Sequence, residues 1–273
     1  MVTLLEAPAP DAKIGAPINT KLGYGIHTWS IPAKDTCPGR SHLCSDRCYA
    51  GRGHFVRPAV DQLYRRNLEF SETEEFTNWL ISGLRYHAVR VMRIHVAGDF
   101  YSPEYIAKWD AIVARSPRTL FFVYTRSWRL DELLLPILQL SRQPNISVWF
   151  SIDRETGPAP LHRGIRQAYM AVNDADAAAA PDHCDLVFRD RPGSPLKNTN
   201  GILVCPAENG VGGKMHHTCT SCGVCYDKKR IPYWEQLQRA VFATDRITDI
   251  VAPAQGRRSA RTQPQKRRTD SDR

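Results

Sequence analysis

At 273 residues, 42% hydrophobic and 24% charged, the chain can bury a sizeable core and has an ordinary globular balance. No run approaches the roughly 18 apolar residues of a membrane span, and Met1–Pro10 lacks the order of a secretory leader, so a cytoplasmic protein without membrane contact is expected. The net charge is +9, but seven Lys/Arg and two Asp in Gly256–Arg273 supply +5 of it, so the basic character is mostly that of a tail.

Eight cysteines in a reducing compartment predict thiols or metal ligands rather than a disulfide framework. Three of them stand on a Gly/Pro-rich loop, Cys37-Pro-Gly-Arg-Ser-His-Leu-Cys44-Ser-Asp-Arg-Cys48-Tyr49. Three thiolates on one loop suit an iron–sulfur cluster with one iron left open, or three of four zinc ligands. Two helices are expected next, over Pro58–Phe70 and Ser71–His87, the second opened by Ser71-Glu-Thr-Glu74 as a capping box.

From Val91 to Asp153 three similar units follow, with strand starts near Val91, Thr119 and Ile146. Val91–Ala97 runs into Gly98-Asp-Phe-Tyr-Ser-Pro103, where Ser102 reads as an N-cap and Pro103 as the first helical position. Tyr105, Ile106, Trp109, Ile112 and Val113 keep helical spacing. Thr119–Thr125 is almost continuously apolar, as in a parallel strand buried on both faces, and a helix over Leu130–Leu140 contains Pro136. In the third unit Ile146, Val148, Phe150 and Ile152 alternate with Ser147, Trp149 and Ser151. Gln167–Val172, Asp185–Phe188 and Ile202–Val204 are weaker strands. Strand–helix–strand repetition of this length implies right-handed crossovers and a parallel sheet. The expected fold is therefore α/β, a full or partial (β/α) barrel of TIM type, with an open doubly wound sheet as the competing architecture.

Beyond it comes Cys205-Pro206, then Cys219-Thr-Ser-Cys222-Gly-Val-Cys225, whose two-residue spacings aim three sulfurs at one point. The intervening segment has almost no core-forming residues, so a metal is expected to order it. His216 or His217 could replace a thiol, and Cys184 reads as a small buried residue. The expected organisation is an N-terminal extension (1–24), a barrel-like catalytic domain carrying the first cysteine loop (25–200), a cysteine-rich metal segment with a closing helix (201–246) and a disordered basic tail (247–273). The tail either touches nucleic-acid phosphates or only solubilises.

In a parallel barrel, chemistry sits at the carboxyl ends of strands, where Asp99, Thr125-Arg126 and Asp153 fall. Asp99 and Asp153 are candidate catalytic carboxylates. Gly98, Asp99, Thr125 and Arg126 are candidates for holding a cofactor, Gly98 because a missing side chain admits close approach. Asp153 could instead cap the turn that follows it. Arg93 and His95 share one face of their strand, aimed at the barrel mouth or buried as satisfied polar groups.

Thr36-Cys37-Pro-Gly, Cys48-Tyr49, Arg93-Ile-His95 leading to Gly98-Asp-Phe-Tyr-Ser102, Tyr124-Thr-Arg-Ser127 and the Cys205 and Cys219/Cys222/Cys225 pattern resemble the phage gene product eighty-eight family over about residues 20–235. That likeness implies a phage-type protein working in the host cytoplasm. A broader resemblance is to radical S-adenosylmethionine enzymes, although six and three residues separate the cysteines where that family has three and two. It implies a 4Fe–4S cluster on Cys37, Cys44 and Cys48, S-adenosylmethionine at Gly98-Asp99, and an auxiliary centre on Cys205, Cys219, Cys222 and Cys225, with a nucleobase or nucleic acid, DNA first, as substrate. The chain is also similar in part to guanine transglycosylases, which implies exchange of guanine for a 7-deazaguanine with Asp99 and Asp153 as carboxylates and zinc on the four C-terminal cysteines. That likeness leaves Cys37, Cys44 and Cys48 unexplained. A non-catalytic, metal-stabilised nucleic-acid-binding protein is the remaining expectation.

Overall fold

The computed structural model describes residues 12–19, 21–190, 196, 199–206, 217–227, 229–230 and 232. The expected closing helix beyond 232, His216 and the basic tail lie outside the described residues.

A short antiparallel pair, β1 (Ile18–Asn19) and β2 (Gly23–Tyr24), precedes the main sheet. That sheet has six parallel strands: β3 (Ile26–Trp29), β4 (Val91–Ile94), β5 (Leu120–Thr125), β6 (Ile146–Ile152), β7 (Arg166–Ala171) and β8 (Leu186–Arg189). Their spatial order is their chain order. A doubly wound sheet reverses order at a switch point, and this one does not, so that alternative is set aside. Among the described residues the sheet is not closed and has two edges, so the expectation of a full barrel is corrected to an open α/β sheet wound in one direction. β8 gains one further parallel bridge, Val187 to Val204, where the third weak strand was expected.

The helices are α1 (His42–Asp46), α2 (Pro58–Glu72), α3 (Phe76–Tyr86), α4 (Pro103–Ala114), α5 (Asp131–Leu140), α6 (Asp174–Ala178) and α7 (Cys219–Cys222). One-directional winding with right-handed crossovers sends the crossover helices to one face. Accordingly Leu80, Trp109 and Ile137 from α3, α4 and α5 share one core with Met92, Val123, Val148 and Phe150 of the sheet. Fully burying each large apolar side chain contributes roughly 1.5–3 kcal/mol. α4 starts as its sequence requires: Ser102 caps the amide of Tyr105 and Pro103 opens the first turn.

Two local expectations are corrected. Ser71 does not cap α3, because its hydroxyl bonds back to the Leu68 carbonyl while Lys108 Nζ gathers the carbonyls of Ser71, Glu72 and Thr73, ending α2 there. β4 stops at Ile94, because His95 takes φ 61° and swings its ring among Phe100, Tyr105 and Trp109 on the helix side. Arg93 and His95 thus lie on opposite faces. The left-handed turn of His95 is held by its amide donating to the Trp29 carbonyl and by a side-chain relay. Trp29 Nε1 donates to Tyr105 Oη, 3.1 Å, whose proton is then free for His95 Nε2, 3.0 Å away. Burial, aided by Arg93, pushes the His95 pKa down to about 3, so the ring is neutral.

Every residue of β6 is buried, so the alternation of apolar and polar residues did not mark a solvent face. Residues near the C-terminus cover that side: Cys222 and Val224 pack on Trp149, Ala168 and Leu186, while Tyr226 and Cys225 pack around Phe122, Leu22 and Ile26.

Candidate functional site

The first cysteine loop is fastened to the carboxyl rim of the sheet. The Ile31 amide donates to the Ala97 carbonyl, tying the start of the loop to the turn after β4. Arg129 Nη1 donates to the carbonyls of Gly39 and Arg40. Gly39 lies directly on the main chain after β5, where a Cβ would stand 2.0 Å from the Arg126 oxygen. Gly98, with φ +86°, is equally tight: a Cβ there would meet Ile31 Cγ1 at 2.3 Å and Thr36 Oγ1 at 2.8 Å. The close approach expected at Gly98 is therefore that of the cysteine loop itself.

Ser41 joins loop and rim. Its oxygen caps α1 by accepting from the Cys44 amide, 2.9 Å, and its hydroxyl donates to Asp153 Oδ2, 2.7 Å. The same Asp153 oxygen receives Arg126 Nη1 at 2.5 Å, and Oδ1 receives the amides of Glu155 and Thr156. Four donors match the four lone-pair sites of a carboxylate. Burial works to raise the pKa of Asp153, but Arg126, Ser41 and the two amides outweigh it and hold it below the usual carboxylate range. With no acceptor site left, Asp153 is built as an anchor that caps its own turn and fixes Arg126 and the loop.

Asp99 differs. It is 5% exposed and accepts from the amides of Phe100, 2.7 Å, and Arg126, 2.8 Å. Thr125 and Ser127 hydroxyls also favour its charged form, yet burial prevails and raises its pKa to about 6. The Arg126 side chain that could have neutralised Asp99 is turned to Asp153. Thr125 is itself buried, accepting the Ser127 amide. Among the described residues the rim thus holds one saturated, ionised carboxylate and one buried carboxyl group with no cation paired to it.

Cys37, Cys44 and Cys48 border this rim. Burial raises Cys37 to about 12, with Asp99, Cys44 and Cys48 adding to the effect. Burial also raises Cys44, against the pull of Arg126. Cys37 and Cys44 are thus electrostatic neighbours of each other, of Cys48 and of Asp99. A single zinc at about 2.3 Å from each sulfur needs its ligands nearly touching, and among the described residues no three His, Cys, Asp or Glu form a group able to hold a metal ion.

The second group of cysteines lies on the other face of the sheet. α7 begins at a capping box made by Thr218 and Ser221 and ends at Gly223 with φ 77°. It is tied to a segment nearly two hundred positions away, the amides of Cys219 and Thr220 donating to the carbonyls of Lys21 and Leu22. Cys225 Sγ stands 2.9 Å from Tyr124 Oη, Trp149 Nε1 donates to the Cys225 carbonyl, and Arg166 Nη1 donates to the Val224 carbonyl while stacking on Trp149. Burial raises the Cys225 pKa against the hydrogen bond from Tyr124 and the charges of Arg93, Arg166 and Lys21. Cys219, Cys222 and Cys225 are electrostatic neighbours, and Cys205 acts on Tyr124 as Cys225 does. Among the described residues these cysteines do not form a group of three or more ligands placed to hold a metal ion. Cys184 is buried. Sequence reasoning missed Ser41, Arg129, Tyr124, Trp149 and Arg166. Only Ser41, a serine just ahead of a short helix, carried a readable signal.

Fold and site together define a sequentially wound parallel α/β protein with one cysteine loop on its carboxyl rim and a second cysteine group under its sheet. The family described as Gene product 88 matches residues 8–228, and the chain belongs to that family. It is 27% identical over 209 residues to the Gene 88 protein of Mycobacterium phage L5, covering 71% of this chain and 80% of that one. It is 25% identical, with the same coverage, to the Gene 88 protein of Mycobacterium phage D29. No solved structure matches the chain. Among the described residues no helix is long and apolar enough to cross a membrane.

Proposed function

We propose that this protein is a cluster-dependent enzyme of the radical S-adenosylmethionine type that modifies a nucleobase or nucleic acid. The observation that carries the reading is the placement of Cys37, Cys44 and Cys48. Their loop leaves the first strand of a sequential parallel sheet and packs on the carboxyl rim beside Gly98-Asp99, at the end of the second strand. In this reading the three cysteines hold a 4Fe–4S cluster, which when reduced supplies one electron to the cosubstrate. Asp99 receives the cosubstrate's ammonium group: a buried carboxyl raised to about 6 regains its charged form when a cation arrives beside it. Arg126 and Asp153 position the loop, and Ser41 transmits that order to α1. The cysteines of 205–225 hold a second centre that joins the C-terminal segment to the sheet.

The alternative base-exchange chemistry needs a free carboxylate nucleophile. Asp153, with four donors on its two oxygens, offers none, so that alternative would have to rest on Asp99 alone. The test is protein purified without oxygen, assayed for iron, sulfide, spin-resonance signal and reductive cleavage of S-adenosylmethionine. Replacing Cys37, Cys44 and Cys48 together by Ala should abolish cleavage and remove one spectroscopic component while leaving a second. Full activity in that variant, or incorporation of labelled deazaguanine into DNA by aerobic, zinc-loaded protein, would overturn the proposal.

A further inference from the structure

We propose that the segment from Tyr49 to Arg57 is a stacking platform for unpaired bases of single-stranded nucleic acid, with its arginines on the phosphates. This deepens the preceding reading, on which it rests for the purpose of the platform, by naming the form of the substrate. The segment follows directly on Cys48 and folds as two 3-10 turns, Tyr49–Gly51 and Gly53–Val56, neither of which buries a residue. Its rings nevertheless touch one another. His54 and Phe55 have centroids 4.0 Å apart, and Phe55 and Tyr49 5.5 Å. Tyr49 is 44% exposed and Val56 55%. Aromatic rings gathered at a surface and left at least partly exposed present faces on which bases stack whatever their sequence.

The surroundings select the partner. Between Arg47 and Val60 there is no acidic residue, while Arg47, Arg52 and Arg57 punctuate the rings. Arg47 pairs with Asp46 and Asp190, but neither Arg52 nor Arg57 meets a carboxylate among the described residues. Gly51 and Gly53 have no atom within 4 Å of where a Cβ would stand, so the backbone lies open to a strand laid across it. An apolar peptide would not use the cations, and a duplex hides its base faces within the stack. The platform is also aimed: the Tyr49 hydroxyl donates to the Val96 carbonyl beyond β4 and receives Arg93 Nη2 at 3.4 Å. A base stacked there lies beside the cysteine trio.

The test is fluorescence anisotropy of the full chain with a labelled single strand of about 12 nucleotides, the same sequence as duplex, and a polyglutamate peptide, at about 0.15 M salt. The single strand should bind about 10-fold more tightly than the duplex, the scale of one or two stacked bases. His54→Ala with Phe55→Ala should erase that preference and leave duplex binding as it was. Arg52→Ala with Arg57→Ala should weaken binding to both and reduce the salt slope on single strands by about 1.4. The basic tail contributes to all nucleic acids, so the strand-to-duplex ratio isolates the platform. Circular dichroism matching the parent establishes that each variant is folded. Equal affinity for strand and duplex, equal affinity for the peptide, or an unchanged ratio in the His54/Phe55 variant would overturn the proposal. The same ratio in protein lacking Cys37, Cys44 and Cys48 separates the two readings: a cluster can be absent with the platform intact, and the platform absent with the cluster's spectrum intact.

Discussion

Removing the charge from each rim carboxylate should shift stability in opposite directions. Asp153→Asn leaves the Arg126 guanidinium, 7% exposed as a side chain, as an unpaired buried cation, which costs about 3–5 kcal/mol. Asp99→Asn removes an anion that its site disfavours. With a pKa raised from 3.8 to about 6, the charged form carries a penalty of about 3 kcal/mol well above that pH. The new amide can accept from only one of the Phe100 and Arg126 amides, which returns about 1 kcal/mol. Asp99→Asn should therefore stabilise metal-free protein by about 1–2 kcal/mol near pH 8. The pH dependence carries the same signs. A raised pKa gives stability that is complete below the unfolded value and is lost as pH rises through about 6, so this variant should lack that decline. The depressed pKa of Asp153 gives stability present above the ordinary carboxylate range and lost as pH falls through the folded value, so the cost of Asp153→Asn should shrink in acid. Urea unfolding followed by tryptophan fluorescence, from about pH 4 to about pH 8, measures both. Equal destabilisation by the two substitutions near pH 8, or an Asp99→Asn curve parallel to the parent's, would refute the assignment of one anchor and one uncompensated carboxyl.

Two further substitutions probe how the rim and the helices are held. Gly39→Ala drives a methyl group to 2.0 Å from the Arg126 carbonyl oxygen and 2.5 Å from its carbon; main-chain atoms cannot step aside, so a loss above about 2 kcal/mol and reduced iron content are expected, and a normal melting temperature with full iron would contradict the packing. Lys108→Met strips the cation from three carbonyls at the end of α2; thermal unfolding should show a loss of about 1–3 kcal/mol with iron content unchanged, and a loss of iron would mean that this end of the molecule reaches the rim.

Where a few neighbouring residues decide an outcome, the sequence was legible. Ser102-Pro103 sets the start of α4, and the apolar stretch Leu120–Thr125 sets a strand covered on both sides. The parallel winding followed from the repeat of such units. What could not be read depended on partners far away in the chain. Ser71 could cap the next helix, but Lys108 and Tyr101 decide that it does not. Nothing near Asp153 announces that Ser41 and Arg126 will fill its remaining lone pairs. Closure of the sheet depends on its edges, to which periodicity is blind. The alternation in β6 could not tell what lies over Ser147, Trp149 and Ser151, because the residues that pack on Trp149 lie some seventy positions later.

The late cover over the sheet has a consequence for how the protein is made. The six described strands of the sheet are complete by Arg189, and Leu203 and Cys205 join its aromatic face soon after, but Cys222, Val224, Cys225 and Tyr226, which complete the cover around Trp149, Leu186 and Phe122, come only after Cys219. At about 5–20 residues per second, the ribosome takes roughly 2–6 s to add the 30 residues between those points. For that interval the nascent chain carries these strands with the aromatic face around Phe122 and Trp149 lacking part of its cover, a surface that invites association. Chains ending before Cys219 never pass out of that state. They should collect as aggregates or bind chaperones even though β1–β8 and α1–α6 are all present.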